Sequence, residues 1–265
     1  MIFLKWKKIG DILVVDDNFT NSTNYTENKD LEGYLKSVAI KHNVKSIIKI
    51  NKISGQMREP SIEFLYGEDS ETIHKENGCF FNLDLSKVMW AKGNNNERLR
   101  IAKLVKKGET FLDMFAGIGY FSIPVGVHSK AKKIYSIEIN PNSYYFLKKN
   151  IELNKINKKL NGRMEAILGD CAIEAPKYSA DRISMGYVKT THHFLKPAMD
   201  AINDGGIIHY HETVPEKLIE SRPYERLKKV ATECSISDVE VLNIQYIKKY
   251  SPGVAHIVVD TKINY

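Results

Sequence analysis

The chain has 265 residues, which is enough for one catalytic-sized domain and a smaller companion, since domains hold about 150 residues. Hydrophobic residues make up 43% and charged residues 27%, which excludes a wholly disordered, collagen-like or membrane-embedded chain. The net charge is +7, and three widely separated cysteines give neither a disulfide framework nor a zinc site. No apolar run approaches the roughly 18 residues of a membrane span. We therefore expect a cytoplasmic, monomeric protein with no membrane segment and no bound metal.

Residues 1–72 are predicted to form a small N-terminal α+β domain. Apolar residues at 12–15 indicate a strand, and residues 31–42 place apolar side chains at helical spacing. A second strand is expected at 46–50. None of these segments carries a recognisable chemical motif.

Residues 73–265 are predicted to form the catalytic domain. A hairpin is expected within residues 78–90, because apolar residues alternate there, and a basic helix at 94–106. Strands and helices then alternate, and the predicted strands are 110–114, 133–138, 164–168, 182–187 and 206–210. Such alternation is typical of a mostly parallel sheet covered by helices on both faces.

Further signals mark helix starts and the end of the sheet. Pro141 suits the first turn of a helix, and Thr213 with Glu216 fits a capping box. Residues 239–247 and 254–263 have the composition of strands and are separated by Ser-Pro-Gly. We expect these two segments to form an antiparallel hairpin at the edge of the sheet.

Positive charge is concentrated between residues 75 and 107, where eight basic side chains stand against three acidic ones. A basic surface of this kind fits a polyanion such as RNA. It also fits an ordinary lysine-rich, solvated surface, and charge alone favours that second interpretation.

A glycine-containing loop, Asp-Met-Phe-Ala-Gly-Ile-Gly at 113–119, lies at a strand-to-helix transition. Gly117 and Gly119 allow a tight turn and a close approach of the backbone to a ligand. A dinucleotide fingerprint would carry a third glycine where this chain has Ser122. We therefore expect a nucleotide-type pocket that includes Asp113 and Phe115.

The next two predicted strands also end at carboxylates. Glu138 stands where an acceptor for ribose hydroxyls belongs, and Ile139 follows it. Asp170 can accept a hydrogen bond from an adenine amino group, while the Cys171 amide donates to the ring. These positions fit a cofactor with adenosine but no pyrophosphate, such as S-adenosylmethionine, better than NAD.

Together, the 113–119 loop, Glu138-Ile-Asn-Pro and Gly-Asp170 resemble those of class I S-adenosylmethionine-dependent transferases with a Rossmann fold. Upstream, Phe-Phe-Asn-Leu-Asp at 80–84 and Asn-Glu-Arg98 resemble the entry to the catalytic domain of tRNA guanosine N1-methyltransferases and their wybutosine-pathway relatives. Both groups modify the purine beside the anticodon, so the resemblance implies tRNA as partner. It covers roughly residues 78–265.

The loop after the fourth strand distinguishes these relatives. The methyltransferases carry an Asn-(Leu or Pro)-Pro loop there, whereas this chain has Met-Gly-Tyr-Val at 185–188. With residues 206–216, this stretch resembles the wybutosine-pathway aminocarboxypropyltransferases. The resemblance implies transfer of the 3-amino-3-carboxypropyl group of S-adenosylmethionine to a tricyclic, wyosine-type guanosine. An N1-methyltransferase and a noncatalytic RNA-binding relic remain alternatives.

The implied reaction suggests roles for individual residues. Arg98 is the candidate anchor for the cofactor carboxylate, because a guanidinium offers bidentate geometry, although it also fits a solvated charge on a basic helix. Tyr187 is expected to stack on the base, and Gly186 to leave open volume beside the sulfonium. His209 is a candidate proton acceptor or a packing residue, and the further histidine candidates are His192, His193 and His211.

Overall fold

The computed structural model describes residues 6–16, 31–55, 57–90, 93–160, 162–188 and 190–265. Contacts along the chain divide it into two compact units, Met1–Trp90 and Ala91–Tyr265. The domain boundary expected after residue 72 stays a prediction.

The first unit contains a four-stranded sheet in the order β1-β2-β3-β4. Its strands are β1 (Trp6–Ile9), β2 (Ile12–Val15), β3 (Ser46–Ser54) and β4 (Glu59–Tyr66). Helix α1 (Leu31–His42) packs Leu35 and Ala39 into one core with Leu13 and Ile47. The predicted strand at 12–15 and helix at 31–42 are confirmed, while β3 runs beyond its predicted end and β4 had no clear sequence signal.

A hairpin completes the first unit, but it is shifted from its predicted place. Strand β5 (Glu71–Glu76) pairs antiparallel with β6 (Cys79–Asp84). Asn77 and Gly78 connect them with φ angles of 50° and 76°, which suit a tight hairpin turn. The prediction of a hairpin within 78–90 is wrong, because the Asn-Gly turn places the first strand before residue 78.

The second unit is built on a seven-stranded sheet in the order β12-β13-β11-β10-β7-β8-β9. Its strands are β7 (Thr110–Asp113), β8 (Lys133–Glu138), β9 (Met164–Leu168), β10 (Ala180–Met185), β11 (Ile202–Pro215), β12 (Asp238–Ser251) and β13 (Val254–Asn264). The strands from β11 to β9 are parallel, and the β12–β13 hairpin is antiparallel at the edge. The predicted α/β fold with a terminal antiparallel hairpin is confirmed.

Helices cover this sheet: α2 (Asn95–Leu104), α3 (Ser122–His128), α4 (Pro141–Leu153), α5 (Ile156–Leu160), α6 (Cys171–Glu174), α7 (Leu195–Ala201) and α8 (Arg222–Glu233). Pro141 opens α4 as predicted, and the Asn140 side chain accepts from the Asn142 amide at 2.8 Å. The capping box at Thr213 is wrong. Thr213 lies inside β11, and only a short 3-10 turn follows this strand before α8.

The sheet has a buried core that fixes where its strand ends lie. Leu112, Ile183 and Ile208 on neighbouring strands are fully buried, and α8 adds Leu227 and Ala231 to the same core. Because the strands from β11 to β9 are parallel, their carboxyl ends meet at one edge of the sheet, which is where ligands bind in open α/β sheets. Among the described residues, no helix is long and apolar enough to cross a membrane.

Candidate active site at the glycine loop

The loop after β7 turns in a way that only glycine tolerates well. Gly117 has a φ of 57° and Gly119 a φ of 99°. A Cβ atom would lie 2.7 Å from the Tyr120 ring at Gly117, and 2.4 Å from Ile123 at Gly119. Both the dihedral angles and the close packing therefore require glycine at these two positions.

Asp113 holds this loop in place from beneath. Its carboxylate is fully buried and accepts hydrogen bonds from the Phe115 amide at 3.3 Å and from Ser122 through the amide at 3.2 Å and the hydroxyl at 2.6 Å. Burial raises the pKa of Asp113 to about 6. Asp113 thus supports the pocket through the loop. Ser122, noted in the sequence only as a missing glycine, is its partner.

Glu138 links the loop to the end of β8. One carboxylate oxygen accepts from the Gly117 amide at 2.7 Å, and the other accepts from the Asn140 amide at 2.7 Å. An ionised carboxylate can accept roughly four hydrogen bonds, so capacity remains for the hydroxyl pair of a ribose. Burial raises the pKa of this half-buried group.

The end of β9 lies beside Glu138. The Gly169 amide donates to the Glu138 carbonyl at 3.0 Å, and the Asp170 side chain caps α6 by accepting from the Ala172 amide at 2.9 Å. Cys171 is buried, and burial raises the pKa of its thiol to about 12. The half-buried Ile139 follows Glu138 directly. The structure therefore brings together the strand-end residues expected to enclose adenosine.

Arg98 is buried on α2 beside the loop. Only 1% of the residue is exposed, and its guanidinium carbon lies 4.7 Å from the centroid of the Tyr120 ring. That ring is the group which a side chain at Gly117 would meet. The interpretation of Arg98 as a solvated charge is therefore wrong, because its guanidinium is buried against the Tyr120 ring, which in turn packs against the glycine loop.

The loop after β10 packs onto the glycine loop. The rings of Tyr187 and Phe115 are stacked with centroids 5.2 Å apart, and Phe194 meets Phe115 edge-on at 5.1 Å. The expectation of open volume at Gly186 is wrong. A Cβ atom there would lie 2.6 Å from the ring of Phe121, which fills that side of the backbone.

His209 lies on β11, where buried side chains enclose its ring. It is fully buried, with Nδ1 2.5 Å from an Asp260 carboxylate oxygen and Nε2 3.0 Å from Nη1 of Arg182. Because a guanidinium only donates, Nε2 must be the accepting nitrogen and Nδ1 must carry the proton. The geometry supports the hydrogen-bonding interpretation of His209, since its accepting nitrogen is already occupied.

The other candidate histidines fall into two places. His211 is buried, with Nδ1 3.1 Å from Nε2 of His256, while Phe121 packs against its ring. His192 and His193 lie in a 3-10 turn after the β10 loop, with ring centroids 4.1 Å apart, and His193 is exposed. His192 and His193 are therefore nearer to Tyr187 along the chain and closer to solvent than the buried histidines.

Two family models match the chain. Residues 72–242 match the TRM5/TYW2 methyltransferase domain, and residues 1–70 match the TYW2 N-terminal domain. The chain belongs to the TRM5/TYW2 family. The resemblance seen in the glycine loop and strand ends is thereby confirmed.

Relatives of this TRM5/TYW2 family member match nearly its whole length. The tRNA(Phe) (4-demethylwyosine(37)-C(7)) aminocarboxypropyltransferase of Methanocaldococcus jannaschii is 42% identical over 259 residues, which cover 98% of each chain. The Pyrococcus horikoshii protein of the same name is 41% identical over 263 residues, covering 98% of this chain and 89% of the relative. The crystal structure of M. jannaschii TYW2 in complex with AdoMet has a TM-score of 0.76 at 39% identity, covering 98% and 99% of the chains.

Proposed function

We propose that this protein transfers the 3-amino-3-carboxypropyl group of S-adenosylmethionine to a tricyclic, wyosine-type guanosine next to the anticodon of tRNA. The observation that carries this proposal is the full-length similarity to aminocarboxypropyltransferases, which includes both the N-terminal and the catalytic parts. The sequence Met-Gly-Tyr at 185–187, which begins with the last residue of β10, stands in place of an Asn-Pro type loop and supports the same conclusion. The protein is an S-adenosylmethionine-dependent tRNA-modifying transferase.

The pocket residues fit the adenosine part of S-adenosylmethionine. The backbone at Gly117 and Gly119 has no room for side chains, and Glu138 retains acceptor capacity toward a hydroxyl pair. Asp170 and Cys171 are proposed to bind the adenine edge. When bound, S-adenosylmethionine supplies an electrophilic carbon next to a sulfonium that departs as a neutral thioether.

Group choice is a matter of orientation, because the sulfonium bears three electrophilic carbons. Holding one carbon in line with the nucleophile supplies several kcal/mol. Arg98 is proposed to bind the carboxylate of the amino-acid arm, since a buried guanidinium forms strong, directional bonds to carboxylates. Tyr187, already stacked on Phe115 through one face, is proposed to stack on the acceptor base through the other.

A double-label experiment separates this function from its alternatives. The protein is incubated with tRNA bearing the tricyclic base and with S-adenosylmethionine labelled either in the methyl group or in the aminocarboxypropyl group. Aminocarboxypropyl label in the RNA is the expected result. Methyl label in the RNA would instead assign an N1-methyltransferase, and no label together with no cofactor affinity would assign an RNA-binding relic.

Two finer points belong to the same proposal. All residues placed in the pocket come from the second unit of one chain, so the proposed monomer would hold a complete site. We also propose a cytoplasmic location, which fits the proposed tRNA substrate. Light scattering on a size-exclusion column should give the mass of one chain, 30.3 kDa, and a mass of two chains would contradict the monomer.

A further inference from the structure

Arg100 on α2 is held by two carboxylates at once. Its Nε and Nη2 atoms donate to Glu97 at 2.7 and 2.6 Å, and its Nη1 and Nη2 atoms donate to Asp260 at 2.6 and 2.9 Å. Glu97 belongs to the same helix, whereas Asp260 belongs to β13. The second pair therefore attaches α2 to the sheet through a bidentate bond, the strongest geometry available to an arginine and a carboxylate.

Asp260 is itself fixed inside the sheet. It accepts from Nδ1 of His209 at 2.5 Å, and Nε2 of that ring accepts from Arg182 at 3.0 Å. Arg182 in turn donates to the Glu109 carboxylate through Nε at 2.8 Å and Nη2 at 3.1 Å. Burial by itself would raise the pKa of the Asp260 carboxyl, but hydrogen bonds from His209 and Arg100 hold this pKa well below its usual range. Asp260 is thus a charged partner for Arg100 that a second bond, from His209, holds within the sheet.

The Asp260 carboxylate lies in the same cross-strand row of the sheet as Asp113, which supports the glycine loop. Asp113 pairs with Ser184, Ser184 with His209, and His209 with Asp260 on successive neighbouring strands. Directly paired residues project to the same face of a sheet. One end of the row therefore fixes the glycine loop through Asp113, and the other end fixes α2 through Asp260.

Helix α2 also carries Arg98, two residues before Arg100. Arg98 rests on the Tyr120 ring beside the glycine loop, so its position depends on where α2 lies. The Asn94 side chain forms no capping bond at the start of this helix. We infer that Asp260 is a positioning residue, which acts through Arg100 to hold α2 so that Arg98 meets the cofactor carboxylate. This inference rests on the proposed role of Arg98 in binding the amino-acid arm.

The test compares two ligands that differ in that arm. Asp260→Asn should weaken S-adenosylmethionine roughly fivefold to tenfold in calorimetry, and methylthioadenosine less than about twofold, because only the former has a carboxylate for Arg98. A merely structural role would change both affinities alike. Arg100→Lys, which keeps the charge but loses the bidentate fork, should give the same selectivity and decides the question if Asp260→Asn does not fold.

The chain offers a matched control on the other face of the sheet. Glu212 is buried, as Asp260 is, and accepts from Arg222 at 2.9 Å and Arg226 at 2.6 Å, both on α8. Glu212→Gln should lower the melting temperature without changing the ratio of the two affinities. Equal weakening of both ligands in Asp260→Asn, or no weakening, would overturn the inference. Arg98→Ala distinguishes this outcome from a failure of the proposed role of Arg98. If Arg98 does not bind the cofactor carboxylate, Arg98→Ala will also change the affinities for both ligands to the same degree.

Discussion

Loss of the Glu138 carboxylate should be felt directly in adenosine binding. Its two oxygens accept from the Gly117 and Asn140 amides at 2.7 Å each, which holds the carboxylate against the glycine loop. In Glu138→Ala the ribose hydroxyls would lose their acceptor. A buried donor left without a partner costs about 1–3 kcal/mol. Cofactor affinity should therefore fall roughly tenfold to a hundredfold.

Calorimetric titration of S-adenosylmethionine and methylthioadenosine would measure this effect. Both ligands contain the ribose, so Glu138→Ala should weaken both to a similar degree, in contrast to variants that affect only the amino-acid arm. Glu174→Ala is a suitable control, because Glu174 lies near Gly169 but pairs with Lys177 at 2.7 Å. An unchanged dissociation constant in a folded Glu138→Ala variant would refute the ribose role.

Three other outcomes are expected. Arg98→Ala should weaken S-adenosylmethionine about tenfold to a hundredfold more than methylthioadenosine, because a charge-assisted bond contributes about 1.5–3 kcal/mol; equal weakening would exclude it as the anchor. Neutralising three exposed lysines should lower the slope of log tRNA affinity against log salt by up to about three, and an unchanged slope would assign a plain solvated surface to Lys103, Lys106 and Lys107. Burial lowers the pKa of His256 to about 4. Because an unfolded histidine has a pKa of about 6.5, the unfolded chain binds more protons than the folded chain below that pH. Urea unfolding should therefore show a free energy of unfolding that falls as the pH is lowered from about 6.5 to about 4, and His256→Asn should reduce that fall.

Much of the catalytic fold can be predicted because its strands are buried on both faces. Strands β8 and β9 have their predicted bounds. As predicted, Glu138 is the last residue of β8, and Asp170 comes shortly after the end of β9. Gly117, Glu138 and Asp170 come together because parallel strands end at a common edge. This part of the site follows from local pattern and from the topology of the sheet.

The remaining errors arise where distant residues decide. Thr213 looks like a helix cap, but pairing with His256 on β13 keeps it in a strand. The sequence predicts open space at Gly186, but Phe121 from another element occupies it. His209 lies at the expected level of the sheet, yet Arg182 and Asp260 enclose its ring. No spacing along the chain contains these contacts.

The small-molecule product tests the central claim most directly. Transfer of the aminocarboxypropyl group leaves methylthioadenosine, whereas methyl transfer leaves S-adenosylhomocysteine. Chromatography of a reaction with tRNA carrying the tricyclic base should show methylthioadenosine accumulating in step with modified RNA. Accumulation of S-adenosylhomocysteine instead would contradict the account and assign methyl transfer to this pocket.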